Sequence, residues 1–178
     1  MKTKTFNGKK VKIKELSEYS LKDTEKFLNF INSFLKEGAQ LLAKKEISLK
    51  EEKEWLSSQL KEVKNNKKVY LVAEYQNQII GTTEVGVGSG RSDHVGTLHI
   101  AVRNDCRRIG LGKYLMKTII KSAKKRLRIK IINIPVFITN KPAIGLYKYC
   151  GFKKVATIPK QIQYKGKLVD EIIMVKYL

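Results

Sequence analysis

The chain has 178 residues, with 37 Lys or Arg against 16 Asp or Glu, so its formal net charge is +21 at pH 7. A hydrophobic fraction of 42% excludes a disordered polyelectrolyte, and no apolar run approaches the ~20 residues of a membrane-spanning helix. Two cysteines, Cys106 and Cys150, are too few for a disulfide framework or a four-ligand metal cage. We therefore expect one cytoplasmic domain over residues 1–178, with no metal and no membrane contact.

The first two-fifths of the chain predict one strand and two helices. Apolar and polar residues alternate over residues 11–16, which indicates a strand. Phenylalanines at helical spacing follow a cap at Ser20 and continue to a stop at Gly38. Ser48 and Glu51 form a capping box that introduces the second helix. The aromatic residues of both helices are expected in the core; the alternative is that they line a substrate cleft.

From residue 69 onward the sequence predicts six strands and two helices. β-branched runs bounded by turn residues indicate the strands, and apolar residues at helical spacing indicate the helices. The first two strands form a hairpin, and the last two are neighbouring antiparallel strands. The predicted strands span residues 69–74, 79–87, 96–102, 129–138, 152–158 and 168–175, and the predicted helices span residues 110–126 and 143–149.

Basic residues are densest over residues 103–130, where Asp105 is the single acid. Lys113, Lys117 and Lys121 recur every four residues, so on a helix they form one stripe. A weak contact with nucleic acid or the ribosome is one interpretation of this charge. A solvated helix face is the other, and the charge by itself does not decide between them.

One segment carries a recognisable binding chemistry. The predicted strand ending at Val102 is followed, after four residues, by Arg-Arg-Ile-Gly-Leu-Gly at residues 107–112, which opens a helix. Unpaired N–H groups and the positive end of the helix dipole converge there, and glycines let phosphate oxygens approach the backbone. The pattern suits a pyrophosphate. It lacks the third glycine of a Rossmann fingerprint and the Gly-Lys-Ser/Thr of a P-loop.

Two motifs in this order resemble the GNAT superfamily of N-acetyltransferases, which includes the ribosomal-protein alanine acetyltransferases. The family signature Arg/Gln-x-x-Gly-x-Gly/Ala stands at residues 107–112, and Asn-x-x-Ala-x-x-Leu-Tyr-x-x-x-Gly-Phe stands at residues 140–152. The hairpin strand Leu-Val-Ala-Glu at residues 71–74 is also typical. The resemblance covers about residues 68–177. It implies an α/β fold with a central mixed, mostly antiparallel sheet flanked by helices, and acetyl-CoA as the donor.

The resemblance also implies a role for each motif residue. Backbone groups of Ile100, Ala101 and Val102 would receive the pantetheine and thioester, with the Val102 N–H donating to the developing oxyanion. Asn140 would reach the pantetheine arm, and Tyr147 would be the general acid that protonates the leaving thiolate. The backbone that would hold the pyrophosphate belongs to Arg107, Arg108, Ile109, Gly110, Leu111 and Gly112.

Ordinary structural alternatives remain open for two of these residues and for the chain. Asn140 could be a helix N-cap, with or without a role toward CoA, and Tyr147 could be an aromatic residue on an amphipathic helix. The alternative for the chain is a non-catalytic module of the same fold that senses CoA or binds RNA; a tyrosine at the position of the leaving-group acid argues against it. Both a monomer and a homodimer are compatible with the sequence.

The general base departs from the family pattern. In the ribosomal-protein alanine acetyltransferases a glutamate precedes the motif asparagine by five residues; here that position is Pro135. Deprotonating a lysine-type amine of pKa ~10.4 near pH 7.4 costs about 4 kcal/mol, whereas an α-amine of pKa ~7.8 costs about 0.5 kcal/mol. We therefore expect a protein N-terminus or a small amine as acceptor. Glu84 and His99 are the substitute bases, and Asp170 and Glu171 could bind the acceptor cation.

Overall fold

The computed structural model describes residues 1–40 and 45–178, and in these residues eight strands form a single sheet. The strands are β1 (Lys2–Phe6), β2 (Lys9–Glu15), β3 (Lys68–Tyr75), β4 (Gln78–Val87), β5 (Val95–Val102), β6 (Ile131–Phe137), β7 (Lys153–Tyr164) and β8 (Lys167–Tyr177). Their order across the sheet is β1-β2-β3-β4-β5-β6-β8-β7. Every neighbouring pair is antiparallel except β5 and β6, which are parallel.

Helices cover both faces of this sheet. They are α1 (Thr24–Lys36), α2 (Leu49–Lys64), α3 (Leu111–Leu127) and α4 (Lys141–Tyr149). On one face, buried side chains of α1 and α2 such as Phe27 and Leu56 pack with Tyr70 of β3. On the other face, Ile119 of α3 and Tyr147 of α4 belong to a core that contains central strand residues. This architecture confirms the predicted fold class.

Local sequence signals account well for most of the elements. The predicted hairpin of β3 and β4 forms, and β7 and β8 pair antiparallel as predicted. All four predicted helices lie within a few residues of their expected bounds. The Ser48 Oγ accepts a hydrogen bond from the Glu51 N–H at 3.3 Å, and the Glu51 carboxylate accepts one from the Ser48 N–H at 2.8 Å. This is the predicted capping box of α2. The aromatic residues of α1, including Phe30 and Phe34, are buried, as expected for core residues. Trp55 of α2 is 39% exposed, so the expectation of a core position is wrong for that residue.

Strand bounds differ from the predictions at both ends of the chain. β1 was not predicted, because it has a single buried side chain, Phe6; the Asn7-Gly8 turn, with φ of +44° and +78°, pairs it with β2. β7 continues six residues past its predicted end at Ile158. A register shift interrupts it there, and Lys160, at φ +53°, donates its N–H to Asp170 Oδ1 at 2.9 Å.

No helix within the described residues combines the length and the apolar character needed to cross a bilayer.

Candidate functional site

The sheet opens between β5 and β6. Their parallel pairing joins residues 95–97 to residues 131–133, and it ends there. The C-terminal half of β5, including Ile100 and Val102, therefore borders a gap and has no ladder partner on that side in the described residues. Main-chain groups along such a gap are free to hydrogen-bond a linear ligand in place of a strand.

Pro135 of β6 belongs to the opposite side of this gap. The Ile138 N–H donates to Asp170 O at 3.0 Å, and hydrogen-bond direction alternates along an antiparallel pair. The nitrogen of Pro135 therefore faces the gap and not β8. Because proline has no N–H to donate, it removes no hydrogen bond from the β6–β8 pair and offers none to β5. Pro135 therefore cannot act as a base, and its lack of an N–H is compatible with the gap between β5 and β6.

Val102 presents its N–H to the gap. The Arg103 N–H donates to Ile80 O at 2.9 Å, so the same alternation turns the N–H and C=O of Val102 away from β4. The Val102 carbonyl accepts a hydrogen bond from Arg107 Nε at 2.8 Å. The peptide that follows Val102 is therefore held by a side chain. Ile100 has the same orientation two residues earlier, so two N–H groups face the gap.

A left-handed turn leads from β5 into α3. Arg108 has φ of +62° and Gly110 has φ of +90°, a conformation that favours glycine. The first helical hydrogen bond runs from the Tyr114 N–H to Gly110 O at 3.1 Å. The N–H groups of the first three helical residues therefore lack helical acceptors and point out of the positive end of the helix. This end of α3 can bind an anion.

Side chains around this turn anchor it in the core. Leu111 is fully buried in a cluster with Phe6, and Ile109 packs against the same cluster. A Cβ added at Gly112 would lie 3.3 Å from Leu146 Cδ2, so α4 approaches the first turn of α3 closely here. Side-chain packing consequently fixes the backbone of residues 109–112, while the N–H groups of the first helical residues keep no helical acceptor.

The Arg107 side chain does not reach toward the anion site. Its guanidinium forms an ion pair with Glu37, contacts Asn104 Oδ1 at 3.3 Å and lies 5.8 Å from the centre of the Phe34 ring. Together with the bond to the Val102 carbonyl, these contacts connect the end of β5 to the C-terminal end of α1. Arg107 therefore orders the site through its side chain. Its backbone N–H donates to Asn104 O at 3.2 Å, so this N–H is not free for an anion. Sequence reasoning did not identify Glu37.

The residues after α1 make two further connections across this end of the sheet. The Tyr164 hydroxyl donates to Gly38 O at 2.6 Å, and the Tyr164 ring packs edge-on against Phe137 with centroids 5.7 Å apart. Gln40 Nε2 donates to Thr139 Oγ1 at 2.6 Å. Residues 37–40 thus tie α1 to the end of β6 and to the β7–β8 hairpin, beside the gap.

Tyr147 lies on α4 with its ring in the core. Its ring centroid is 6.3 Å from that of Phe152, and 6% of the residue is exposed. Burial raises the pKa of Tyr147 above its ordinary value, so the phenol stays protonated at neutral pH. Its hydroxyl has no hydrogen-bond partner among the described residues. The side chain is therefore in the form that can donate a proton.

Asn140 is the N-cap of α4. Its Oδ1 accepts a hydrogen bond from the Ala143 N–H at 3.2 Å, and Pro142 occupies the first turn. The cap uses only the oxygen of the side-chain amide, so Nδ2 remains able to donate to a ligand. The structural role anticipated for Asn140 is present, and a second role toward a ligand is chemically open.

Glu84 and His99 face each other across β4 and β5. They are directly paired in the register, as are Tyr70 and Glu84, so the three side chains form a row on the α1/α2 face that reaches the edge of the gap. Glu84 is engaged by Lys68 Nζ at 2.7 Å. His99 is exposed. Ala101, two residues further along β5, lies on the same face and packs against the α1/α2 core.

Glu52 is a carboxyl group near this row that sequence reasoning missed. It is only 5% exposed, one turn before Leu56 on the face of α2 that meets the sheet. Burial raises the pKa of Glu52 to about 7. Burial also raises the pKa of Tyr70, and the carboxylates of Glu84 and Glu52 add to this effect. From the sequence alone, Glu52 has the pattern of a solvated charge on an amphipathic helix. Nothing local in the sequence therefore predicts that it is buried.

The other candidate residues are Asp170, Glu171 and the two cysteines. None of their contacts gives them a catalytic role. Asp170 accepts the Lys160 N–H, whereas Glu171 is partly buried on β8 next to Phe137 of β6. Both cysteines are unpaired and buried, and burial raises the pKa of the Cys106 and Cys150 thiols, so neither is an activated nucleophile. Within the residues described, no group of three or more His, Cys, Asp or Glu side chains could hold a metal ion.

A family model described as an acetyltransferase (GNAT) domain matches residues 12–173. Among curated proteins, the L-amino acid N-acetyltransferase AaaT of Escherichia coli is 31% identical over 107 residues, which is 60% of this chain and 66% of that protein. The matched segments span 56–66% of the length of the curated relatives that the chain matches.

Solved structures share the fold at low sequence identity. The ribosomal-protein-S5-alanine acetyltransferase of Vibrio fischeri superposes with a TM-score of 0.82 at 18% identity, covering 99% of this chain and 97% of that one. yncA of Salmonella typhimurium, solved with its cofactor acetyl-CoA, superposes with a TM-score of 0.78 at 18% identity, covering 94% of each chain. At these sequence identities, the similarity between the chains is one of fold.

Proposed function

Because the chain belongs to the GNAT acetyltransferase family, we propose that it transfers an acetyl group from acetyl-CoA to a primary amine, with residues 1–178 acting as one catalytic domain. The observation that carries the proposal is the juxtaposition of two main-chain features. The N–H of Val102 faces the gap between β5 and β6, and the free N–H groups of α3 begin nine residues later at Leu111. A single ligand that carries both a thioester and a diphosphate could use both sets of donors.

The residues present fit such a donor. Acetyl-CoA supplies an activated acetyl group on a thiol that can leave. The backbone of residues 107–112 would hold its diphosphate, and the main chain of residues 100–102 would hold the pantetheine, with Asn140 Nδ2 as a further donor. The Val102 N–H is positioned to stabilise negative charge on the carbonyl oxygen, since Arg107 already holds the orientation of this end of β5.

Tyr147 is the general acid of the proposed reaction. A thiol of ordinary pKa near 8.5 departs as a thiolate that then takes up a proton. The Tyr147 hydroxyl is protonated at neutral pH, and it has no hydrogen-bond partner among the described residues. Burial raises its pKa and makes it a weaker acid than the thiol, so the proton that it gives to the thiolate must be restored from the acceptor amine or from solvent. α4 holds the Tyr147 ring against Phe152, so the position of this proton donor is fixed.

The acceptor is proposed to be a protein N-terminus or a small amine such as an amino acid. The relative AaaT is named as an L-amino acid N-acetyltransferase, and the neighbour from Vibrio fischeri is named for an alanine of a ribosomal protein. The absence of a carboxylate at Pro135 also favours α-amines, whose deprotonation near neutral pH costs about 0.5 kcal/mol, over lysine side chains, for which it costs about 4 kcal/mol.

We expect release of free thiol from acetyl-CoA to depend on an α-amine. The panel compares L-amino acids, a peptide with a free N-terminal alanine, and the same peptide Nα-acetylated with a single internal lysine. Turnover should be at least tenfold faster with the free α-amines than with the lysine peptide. Equal rates on all acceptors would contradict the acceptor assignment. Tight binding of CoA by calorimetry with no turnover on any amine would favour a non-catalytic CoA-sensing module.

The base is proposed to lie in the row that ends at the gap, with Glu84, His99 and Glu52 as candidates. A base of pKa about 7, as burial gives Glu52, is protonated below that pH, so the rate should rise through pH 7 to a plateau. Glu84→Gln, His99→Ala or Glu52→Gln should lower the plateau of kcat at least tenfold if it removes the base. Only Glu52→Gln should also remove the limb near pH 7 and leave the ionisation of the α-amine. The exposed Glu54→Gln on α2 is the control. If all three variants retain the wild-type pH–rate profile, no residue of this row is the base.

We also propose that the protein acts in the cytoplasm. Two unpaired cysteines are compatible with the reducing cytoplasm. A contact with nucleic acid or the ribosome through the basic surface stays a prediction. The distribution of charge over the two helix layers indicates which surface would make this contact. Monomer and homodimer both stay open.

A further inference from the structure

Charge is divided unevenly between the two helix layers. α1 and α2 together carry six Lys and five Glu, whereas α3 and α4 carry eight Lys or Arg and no acidic residue. From Cys106 to Val169 the sequence has 17 Lys or Arg and no Asp or Glu. The positive charge of the helices is thus concentrated on the face of the sheet that α3 and α4 cover, and this cationic face would attract a polyanion.

The lysines of α3 are arranged in a row. Lys113, Lys117 and Lys121 are exposed and lie about one turn apart, which places successive Cα atoms about 6 Å apart along the helix axis. In the part of the chain that the structure describes, Arg126 is the one basic residue of α3 and α4 with a carboxylate partner, Glu15 at 2.7 Å. Among the described residues, the other cations of α3 and α4 form no ion pair with a carboxylate. A row of free charges suits a linear polyanion better than a single phosphate.

An exposed aromatic ring lies beside this row. Tyr149 of α4 is 56% exposed, although it is a large side chain on a helix that buries its neighbour Tyr147. Lys113 Nζ lies 4.2 Å and Lys117 Nζ 5.3 Å from the centre of the Tyr149 ring. The ring is therefore held between α3 and α4 with solvent-exposed surface. Aromatic rings next to cations are the platforms on which unpaired bases stack.

We propose that the α3/α4 face, built around Lys117, Lys121 and Tyr149, binds single-stranded RNA. The row of cations follows the sugar–phosphate backbone, and Tyr149 stacks on one base. An acidic peptide or a lipid headgroup would use the charge but not the ring. The proposal is independent of acetyl transfer, because these three residues lie outside the anion site at the start of α3.

The test measures binding of the full chain to a fluorescein-labelled 20-nucleotide single-stranded RNA of mixed sequence by anisotropy, from 50 to 200 mM NaCl. With four to six phosphate contacts, the slope of log K against log salt should be about −3 to −4. Lys117→Glu with Lys121→Glu should weaken binding at least tenfold and flatten the slope. Lys53→Glu with Lys61→Glu on α2 makes the same change of net charge on the opposite face and should stay within threefold of wild type. Equal losses in both double variants would overturn the proposal.

A second variant separates RNA from other polyanions. Tyr149→Leu should weaken RNA binding about tenfold, through loss of stacking, and leave binding of a polyglutamate of equal charge unchanged. Wild-type affinity of Tyr149→Leu for RNA, or tighter binding of the polyglutamate or of phosphatidylserine vesicles than of RNA, would overturn the assignment. Saturating CoA should leave RNA binding intact; displacement of RNA by CoA would show that these cations serve the cofactor. Thermal unfolding and acetyl transfer verify that each variant is folded.

Discussion

Tyr147→Phe is expected to lower kcat about a hundredfold while leaving the KM for acetyl-CoA within about threefold of wild type. The change removes a single hydroxyl from a residue whose ring packs against Phe152, so phenylalanine keeps the core contact. General acids contribute roughly 10²- to 10⁴-fold, and the lower end applies here because a thiolate is a better leaving group than an alkoxide. The measurement is thiol release under saturating acceptor.

The matched control for this experiment is Tyr149→Phe, an exposed tyrosine two residues along the same helix. It should turn over at the wild-type rate. Thermal unfolding of both variants should lie within a few degrees of wild type, because neither change opens a cavity. Should Tyr147→Phe bind acetyl-CoA and acetylate the preferred amine at the wild-type rate, Tyr147 is only a core residue.

Gly112→Asp is expected to abolish binding of CoA, with Kd raised at least a hundredfold, and to leave the fold intact. The new carboxylate would stand at the N-terminal turn of α3, where the diphosphate of CoA is proposed to lie, and like charges at close range repel by several kcal/mol in a partly buried site. The same carboxylate stabilises the isolated helix end, because it complements the positive end of the dipole. Its Cβ would lie 3.3 Å from Leu146 Cδ2 and 4.0 Å from Val102 Cγ2, both of which are ends of side chains.

Two controls make the Gly112 experiment specific for the diphosphate. Gly112→Asn has nearly the same shape without the charge and should weaken CoA binding no more than about tenfold. S-acetylpantetheine lacks the diphosphate, so Gly112→Asp and wild type should use it with equal kcat/KM. Calorimetry gives the Kd of CoA and thiol release gives the kinetics. An affinity of Gly112→Asp for CoA within threefold of Gly112→Asn would rule out the proposed position of the diphosphate.

The anion site is the part of the molecule that depended least on tertiary structure. The end of β5, the turn with Gly110, and the start of α3 occupy fewer than twenty consecutive residues. The direction of a strand, a positive φ and free N–H groups at a helix end all follow from local backbone chemistry. For the same reason the capping box of α2 and the N-cap at Asn140 were readable from residues three positions apart. The Asn7-Gly8 turn carries an equally local signal, but β1 lacks the alternation of buried and exposed residues that identifies a strand.

Other features of the site depend on residues that only folding brings together. Arg107 is paired with Glu37, which lies 70 positions away in sequence, and this contact turns its side chain away from the anion site. Glu52 of α2 is buried near Tyr70 of β3, and this burial against the sheet raises the pKa of Glu52 to about 7. No periodicity or motif reports such juxtapositions, because they depend on how a helix packs across strands.

By itself, the sequence determined the α/β elements, the glycine turn and the two signature motifs, since propensities, caps and turn conformations act between near neighbours in the chain. Tertiary structure decided where β5 and β6 separate, that Glu52 is buried, and which face of the sheet carries the lysines without carboxylate partners. Those properties follow from strand register and from the packing of helices on opposite faces, which are set by long-range burial of apolar surface.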